Sequence, residues 1–457
     1  MEVIKFRLNN IGRFDKIEVP LATSFNNKTN VTVFVGNNGS GKTSLLKSLS
    51  TSLSWLVSQI RSETGRGSPI PELVIKNGKT SASIDIEVFD IRGQQSNPNA
   101  HIEDHLVSWS VARSRKGRKG EHKSDLSGAS NLADFFRVQL SRDENTPLPL
   151  IAFYSVERVV IDIPLKIRGK HTFLQLDGYD NSLSQGVDFR RFFEWFRKRE
   201  DTENESSIPQ DVFEKLQLVL NGSHDIWKEI SALKASTKDR QLTAVRTAIY
   251  QFMPEFSNLR VKRTPRLHMS IDKGAETLDV AQLSQGEKSL MSLIGDIARR
   301  LAMMNPSLEN PLNGDGIVLI DEVDMHLHPK WQRRLIKQLS KTFPNCQFVL
   351  TTHSPLVISD CQGVLSYLIE EDGLKELPEL FGEDANSVLL DIMDTNIRNE
   401  DVNIKLNDLL DAIHSKELET AKKLLTLLEN ELPSQNIELV KARMLLRKQE
   451  LRNAGNS

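Results

Sequence analysis

Residues 31–43 read VTVFVGNNGSGKT, so five strand-forming residues run directly into a glycine-rich loop. The β-branched run predicts a buried strand, and the residues from Thr43 to Val57 predict a helix. The loop matches G-x-x-x-x-G-K-[ST] in full and has the strand before it and the helix after it that the pattern requires. A glycine-rich turn without function is the alternative interpretation, and the complete motif disfavours it.

This segment, the phosphate loop (residues 36–43), predicts a site for the phosphates of a nucleotide. Its glycines let backbone N–H groups approach phosphate oxygens, and the N-terminus of the following helix adds a partial positive charge. Lys42 would reach the β- and γ-phosphates, and Thr43 would bind Mg²⁺. The predicted ATP ligands are Gly36, Asn37, Asn38, Gly39, Ser40, Gly41, Lys42 and Thr43.

A second buried strand is predicted to end in two carboxylates. The stretch GIVLIDE, residues 316–322, places Asp321 and Glu322 directly after an apolar run. Asp321 suits the coordination shell of Mg²⁺, and Glu322 suits a base that orients or deprotonates an attacking water. A strand that merely happens to end in acids is the alternative, and the presence of the phosphate loop weakens it.

A histidine follows a third predicted strand, CQFVLTTH, residues 346–353. Ligands of parallel α/β sheets bind at the carboxyl ends of the strands. The imidazole of His353 at such a strand end can contact a γ-phosphate and report its presence, so we count His353 as a catalytic candidate beside Glu322. A purely structural histidine is the alternative interpretation.

The stretch LSQGEKSL, residues 283–290, lies ahead of an apolar helix and far from the phosphate loop in sequence. Ser284 and Glu287 have the spacing of a capping box, which predicts that a helix begins there. A helix N-terminus that carries a serine hydroxyl and a glycine is also an anion site. The two interpretations are compatible, so Ser284, Gly286 and Glu287 are further candidate ATP ligands.

The bulk composition is that of an ordinary globular protein. The chain has 457 residues, 39% hydrophobic and 26% charged, with a formal net charge of −2. This length predicts two or three domains, and the near-neutral charge disfavours a general polyanion binder. With two cysteines, no signal peptide and no long apolar run, we expect a cytoplasmic protein without a membrane span.

The sequence resembles the ABC-type ATPases. The resemblance is carried, in that family's order, by GNNGSGKT, LSQGE, IVLIDE and the His353 that ends CQFVLTTH. The resemblance implies an α/β P-loop ATPase head that binds ATP with Mg²⁺. It also implies a homodimer or higher oligomer in which two ATPs are sandwiched head to tail, with Ser284 and Gly286 binding the γ-phosphate of a second subunit. Lys42 and Leu283 are 241 residues apart, which disfavours a compact transport cassette, and the lack of sustained heptads disfavours the SMC type.

The stretch EVDMHLHP, residues 322–329, resembles the RecF, OLD and related defence ATPases. This resemblance favours a place for Asp324 and His326 in the subunit interface. A metal site at His326 and His328 is the less favoured alternative, because zinc sites normally need three or four ligands.

A longer resemblance is to the PtuA family, the ATPases of Septu-type anti-phage systems, including versions attached to retrons. It is carried by YSVERVVIDIPL, DFRRFFEWFRKRED, LSQGEKSL, DEVDMHLHP and a short helical tail. The family resemblance implies control of a separate HNH nuclease of the PtuB type. No nuclease motif is evident in this sequence, and the leucines of the tail predict faces for core packing or for partner and subunit contacts.

The expected fold is an ABC-type P-loop ATPase head with an inserted, mostly helical subdomain and a helical C-terminal extension. The expected segments are 1–180 (N-terminal lobe of the head), 181–275 (inserted subdomain), 276–360 (C-terminal lobe of the head) and 361–457 (helical extension). The loop that would join the Mg²⁺ site to the insertion is expected after PLIAFYSV, with Tyr154, Glu157 and Arg158 as candidates.

Two alternative functions stay open, a RecF-like DNA repair clamp and an OLD-like nuclease. DNA contact would rest on two basic runs, although a charge run is more often a solvated surface. The runs comprise Arg113, Arg115, Lys116, Arg118, Lys119 and Lys123, and then Arg260, Lys262, Arg263 and Arg266.

Overall fold

The computed structural model describes residues 1–90, 105–157, 172–183, 187, 189–206, 238–371, 373–393, 398–433 and 435–454. The chain divides into two compact units, Met1–Glu383 and Asp384–Ser457. The strands of the first unit are β1 (Glu2–Ile11), β2 (Phe14–Pro20), β3 (Val31–Val35), β4 (Ser81–Phe89), β5 (Leu106–Ser114), β6 (Leu150–Tyr154), β7 (Phe256–Lys262), β8 (His268–Lys273), β9 (Glu276–Asp279), β10 (Gly316–Ile320), β11 (Cys346–Thr351), β12 (Leu365–Glu370) and β13 (Gly373–Glu376). Its α-helices are α1 (Lys42–Arg61), α2 (Ser127–Arg142), α3 (Phe189–Ser206), α4 (Arg240–Phe252), α5 (Gln285–Met304), α6 (Pro329–Gln332), α7 (Leu335–Thr342) and α8 (Pro355–Ile358).

The main sheet has six strands in the order β13-β12-β3-β11-β10-β6. Five of them are parallel, and β13 is an antiparallel edge strand. Every residue of β3, β6, β10 and β11 is buried, which explains their mainly apolar, non-alternating sequences. Because β3, β11 and β10 are neighbours and parallel, the three predicted ligand-bearing segments that follow them meet at one edge of the sheet.

A second, antiparallel sheet has the order β2-β1-β4-β5. Its strands alternate, so that Phe6, Leu8, Ile84 and Ile86 are buried on one face, while polar side chains occupy the other. The helices α1 and α2 pack on each other and on this sheet. The short turn between β1 and β2 is thereby held against the phosphate loop.

The helix α5 runs through the interior of the first unit. The apolar line predicted for it is buried throughout, at Leu290, Leu293, Ile294, Ile297 and Leu301. Four phenylalanines of α3 at helical spacing are also buried, at Phe189, Phe192, Phe193 and Phe196. The ring of Phe192 lies so close to Gly295 that a Cβ there would be 2.9 Å from it, so this aromatic face is core packing against α5.

The predicted helical extension from residue 361 is wrong in its first part. Both β12 and β13 lie in that range and belong to the main sheet, where β12 pairs in parallel with β3. The boundary between the compact units falls after Glu383 instead. A strand that pairs with residues so distant in sequence is stabilised by tertiary packing that a local pattern does not contain.

The predicted inserted subdomain, residues 181–275, lies within the first compact unit. Glu200 of α3 accepts hydrogen bonds from Arg246 of α4 and from the N–H of Val261 in β7, which ties these elements together. The described part of the segment holds α3 and α4, and also β7 and most of β8. Residues 207–237, most of a stretch predicted to be helical, lie outside the described residues.

The second unit contains α9 (Ala385–Asp391), α10 (Glu400–His414), α11 (Leu418–Glu431) and α12 (Ile437–Ala454). Two leucine-rich stretches of the predicted helical tail form α10 and α11. The core of the unit consists of Leu406, Leu409, Ala412, Ile413, Ala421, Leu425, Leu428, Leu439, Ala442 and Leu446. Across both units, none of the described helices has the length and apolar character needed to span a membrane.

Candidate functional site

The phosphate loop is arched around the ammonium group of its own lysine. The Nζ of Lys42 donates hydrogen bonds to the carbonyl oxygens of Gly36 and Asn37, at 2.7 and 2.9 Å. Gly41 has a φ of 103°, and a Cβ at this position would lie 2.8 Å from the ring of Phe14. The loop therefore needs glycine here both for its left-handed backbone and for the ring that packs on it.

Three carboxylates lie close to this lysine. Burial lowers the pKa of Lys42 below its ordinary value, and Glu322, Asp321 and Asp324 act in the opposite direction through their charge. The strands β3 and β10 thus bring the phosphate loop and the predicted acidic pair together, as the sequence implies. A buried ammonium group can pair with a polyphosphate. The acids beside it can bind the divalent cation that accompanies the polyphosphate.

The residues present fit a nucleotide triphosphate with Mg²⁺. The hydroxyl of Ser40 is buried, and within the described part of the chain its Oγ has no hydrogen-bond partner. Such a group satisfies its hydrogen bond when a phosphate oxygen enters the loop. Thr43 and Asp321 supply the hard oxygen ligands that Mg²⁺ prefers, and Lys42 and the loop N–H groups would hold the phosphates.

The acidic pair is held in place by the neighbouring strand. The side chain of Thr351, the last residue of β11, donates to Asp321 Oδ1 at 2.6 Å and accepts from the N–H of Glu322 at 2.7 Å. Glu322 itself has a φ of 46°, in the left-handed region that non-glycine residues seldom adopt. Outliers of this kind concentrate at functional sites, and Glu322 lies two residues beyond the end of β10.

A third acid joins the acidic pair to His353. Asp324 Oδ1 accepts from the hydroxyl of Thr352 at 2.5 Å and from the N–H of His353 at 3.4 Å. Burial lowers the pKa of His353, the charge of Lys42 lowers it further, and the nearby acids only partly oppose this. The imidazole is therefore neutral at pH 7, and it lies within electrostatic reach of Lys42. Asp324, predicted to lie in a subunit interface, has its carboxylate bonded inside the chain.

The capping box predicted at the start of α5 is present. Ser284 Oγ accepts from the N–H of Glu287 at 3.3 Å, and Glu287 Oε2 accepts from the N–H of Ser284 at 2.8 Å. Glu287 Oε1 also accepts from Lys273 at 2.7 Å. Burial raises the pKa of Glu287, but Lys273 and Ser284 outweigh burial and leave the pKa below its ordinary value. Both oxygens of Glu287 are thus engaged within the chain, which places this predicted ATP ligand in the helix cap instead.

The glycine of the LSQGE segment lies directly against the turn that follows β10. A Cβ on Gly286 would lie 2.4 Å from the carbonyl oxygen of His326, so only glycine allows this approach. His326 is exposed and has a φ of 63°. Ser284, Gly286 and His326 therefore form one surface, the signature surface, with the serine and the imidazole open to solvent.

The second histidine of the HLHP stretch has a structural role. Nδ1 of His328 accepts from the N–H of Lys330 at 3.2 Å and so caps α6, whose first residue is Pro329. Among the described residues, no cluster of three or more metal-ligating side chains occurs. The cap gives His328 a local reason to be there that needs no metal ion.

Sequence reasoning missed the turn between β1 and β2. The guanidinium of Arg13 donates to the carbonyl of Ser40 at 3.2 Å, and the neighbouring Phe14 packs on Gly41. This pairing adds a cation and a ring to the edge of the phosphate loop. The stretch NNIGRF carries no motif that predicts this contact, because its partners lie in the phosphate loop, 27 residues further along the chain.

Of the candidates for the loop that follows β6, Tyr154 is the last residue of that strand. Its hydroxyl is buried and donates to Asp296 of α5 at 3.0 Å. Glu157 lies at the end of the described stretch, and Arg158 lies outside the described residues. Tyr154 is therefore a link to α5 rather than a Mg²⁺-site residue.

Most arginines of the two basic runs are engaged within the protein. Arg260, Arg263 and Arg266 form ion pairs with Asp272, Asp201 and Asp279. Arg113 lies in β5 and donates to the carbonyl of Ile70, while Arg115 donates to the carbonyls of Lys79 and Ile75. These contacts use guanidinium donors that DNA phosphates would need, so they weaken the DNA-clamp alternative.

Residues 31–359 match the family model described as "AAA domain, putative AbiEii toxin, Type IV TA system". The chain is 34% identical to the "Retron Ec83 probable ATPase" of Escherichia coli over 393 residues, which cover 78% of this chain and 69% of that protein. It is 33% identical to the "Retron Vc95 probable ATPase" of Vibrio cholerae serotype O1 biovar El Tor over 423 residues, which cover 86% and 80%. A shorter match, 37% identical over 91 residues, is to "Septu protein PtuA" of Bacillus mycoides (strain KBAB4) and covers 20% of this chain and 12% of that protein.

The match to the family model spans well over half of the chain and begins at β3, so it includes the phosphate loop, the acidic pair, His353 and the LSQGE segment. The predicted resemblance to retron-associated and PtuA ATPases is thereby confirmed. This chain belongs to the AAA-domain ATPase family that includes the retron Ec83 and Vc95 ATPases.

Proposed function

We propose that this protein is an ATPase that binds and hydrolyses Mg·ATP between subunits and regulates a separate HNH nuclease in anti-phage defence. The observation that carries the ATPase part is the convergence of Lys42, Asp321 and Glu322 at one sheet edge. Lys42 and the N–H groups of the phosphate loop hold the phosphates, and Thr43 and Asp321 hold the metal. When bound, Mg²⁺ neutralises charge on the phosphates.

Glu322 is the residue that we assign to the attacking water. Its backbone is left-handed, it directly follows Asp321, and its charge acts on the nearby Lys42. A carboxylate there accepts a hydrogen bond from water and orients it toward the γ-phosphate. His353, held neutral by burial and by Lys42, has one N–H to donate to the same phosphate and so reports its presence.

The signature surface is proposed to bind the γ-phosphate held by another copy of this chain. Ser284 Oγ accepts the capping hydrogen bond from Glu287, so its own O–H remains to donate outward. The start of α5 adds a partial positive charge in the same direction. The helix cap uses a lone pair of the Ser284 oxygen, whereas phosphate binding would use its O–H as a donor, so the two roles do not compete.

A mixing experiment tests the shared site. Lys42→Ala disables the phosphate loop, and Ser284→Arg blocks the signature surface while leaving that chain's own loop intact. Each variant alone should be inactive. An equal mixture should regain about a quarter of the wild-type phosphate release, because half of the dimers are mixed and each mixed dimer has one intact site.

The control for folding is nucleotide binding by the Ser284→Arg variant, which should persist because its loop is unchanged. Loss of the cap alone costs only about 1 kcal/mol. Two inactive variants that stay inactive when mixed, although Ser284→Arg is folded and binds ATP, would show that the site is not shared between subunits.

The nuclease part of the proposal is supported by the family. Its relatives include ATPases named for retrons and for the Septu system, and the resemblance to Septu ATPases implies an HNH nuclease partner. We propose that ATP keeps the nuclease restrained and that a fall in ATP releases it. Nuclease activity of the reconstituted complex should rise as ATP is lowered from millimolar to zero, and an activity that ignores ATP would contradict this part alone.

A further inference from the structure

The helix α12 has apolar side chains on two of its sides. One side carries Leu439, Ala442 and Leu446, which are buried in the core of the C-terminal unit. This core already accounts for the contacts of α12 with α10 and α11. The remaining circumference of the helix would be polar if it only faced water.

It is not polar. Ile437, Met444 and Leu451 are 68%, 69% and 68% exposed, and they are spaced seven residues apart. Residues seven apart lie in one line along a helix, and at about 100° per residue Met444 is about 200° from Leu446. A line of three large apolar side chains therefore runs along the side of α12 opposite its core, and we call it the outer stripe.

The charges beside the outer stripe are positive. Arg447 and Lys448 line a shallow hollow together with Met444 and Leu451. Neither cation has an ion-pair partner in the part of the chain that the structure describes. By contrast, the acids of α12 are engaged: Glu438 pairs with Arg398 and Lys441, and Glu450 pairs with Lys422.

We propose that the outer stripe is the docking site for an acidic amphipathic helix of another protein. Residues seven apart can pack along one side of a partner helix, and Arg447 and Lys448, three and four positions after Met444, lie on the two sides of this line. Arg447 and Lys448 select carboxylates at the flanking positions of that partner. The occupant is therefore a helix with an apolar seam bordered by Glu or Asp.

A second copy of this chain fits the stripe less well. Two copies of α12 would bring the Arg447 and Lys448 of both chains to the same seam, and like charges at flanking positions are destabilising. A membrane surface also fits less well, since the apolar line is one residue wide and contains no aromatic residue. The docking site lies in the C-terminal unit and does not depend on the proposed nucleotide chemistry.

The test uses the full chain and two synthetic peptides about four heptads long. Both peptides have leucine at the seam positions. One has Glu at all flanking positions and the other has Lys, so each is kept from self-association by its own charge. Fluorescence anisotropy should show the Glu peptide binding the wild-type chain at least about tenfold more tightly than the Lys peptide.

Three variants locate the site. Met444→Asp with Leu451→Asp should abolish binding of the Glu peptide. Arg447→Glu with Lys448→Glu should reverse the preference, so that the Lys peptide binds more tightly. Lys423→Glu, a matched charge change at an exposed position of α11, should leave both affinities unchanged.

Equal binding of the two peptides, or a preference that the Arg447→Glu, Lys448→Glu variant keeps, would overturn the proposal. Sedimentation and vesicle flotation test the other occupants. If Met444→Asp with Leu451→Asp instead lowers the oligomeric state, the occupant is a second copy. If it abolishes binding to anionic phospholipid vesicles and the Glu peptide does not bind, the occupant is a membrane. Both results contradict an acidic partner helix.

Discussion

Glu322 combines a left-handed backbone with a hydrogen bond from its N–H to the side chain of Thr351. Glu322→Gln keeps the size and the backbone but removes the charge that orients water. We predict that phosphate release falls at least about a hundredfold, the usual contribution of a positioned acid or base, while nucleotide binding persists. Glu309→Gln, at an exposed site, is the matched control and should be silent. If the Glu322→Gln variant kept its turnover, another residue would have to orient the attacking water.

His353 makes stability depend on pH in a defined direction. In the folded protein burial and Lys42 hold its pKa below 6.5, whereas in the unfolded chain it titrates near 6.5. Below about pH 6.5 the unfolded state therefore binds the additional proton, and the free energy of unfolding decreases as the pH falls toward the folded pKa. His353→Asn removes this contribution. Urea unfolding at pH 7.5 and 5.5 should show a smaller loss of stability in the variant, and an equal loss would contradict the assignment.

At the scale of elements, a buried ionic network joins α5 to the strand beside the acidic pair. Asp296 is fully buried and accepts from Arg299, Arg300 and the hydroxyl of Tyr154. The main-chain carbonyl of Tyr154 in turn accepts from the N–H of Asp321. Burial alone would raise the pKa of Asp296, but Arg300 and Arg299 lower it to about 2, so the network stays ionised at neutral pH. The network thus links α5, which is capped by Ser284, to β6, the strand that pairs with β10.

Removing the central charge of this network should be costly. Asp296→Asn leaves two buried guanidinium groups without their counter-ion, which typically costs about 3–5 kcal/mol of unfolding free energy. Tyr154→Phe removes one hydrogen bond and should cost about 1 kcal/mol. Asp134→Asn, which breaks an exposed pair with Arg137 on α2, should change stability by under about 1 kcal/mol. Urea unfolding measures all three, and equal effects of Asp296→Asn and Asp134→Asn would show that the network adds little.

At the scale of the whole molecule, the chain is two compact units with separate cores. All nucleotide-site residues lie in Met1–Glu383, and the outer stripe lies in Asp384–Ser457. We predict that a chain ending at Glu383 folds and binds ATP as the full chain does, but no longer binds the Glu peptide. Circular dichroism and nucleotide titration check the first part. A truncated chain that is unfolded would show that the first unit depends on the second.

The sequence predicts much of the site, because the chemistry of each motif is local. A glycine loop between a strand and a helix, two acids after a buried strand and a capping serine each lie within about ten residues. Parallel strand order then brings them together by a rule that holds for all such sheets. This is why the convergence of Lys42, Asp321, Glu322 and His353 could be predicted before their distances were known.

What the sequence by itself determined is therefore the convergence of the phosphate loop, the acidic pair and His353 at one sheet edge, the cap at Ser284 and the helical character of most of the C-terminal unit. Only the tertiary structure decided that β12 belongs to the main sheet, that Arg13 lies on the phosphate loop, and that Glu287 is held by Lys273. It also decided that Gly286 must be glycine, because His326 lies against it. The physical reason is that these features are contacts between residues far apart in sequence, whose energies depend on packing that no local pattern records.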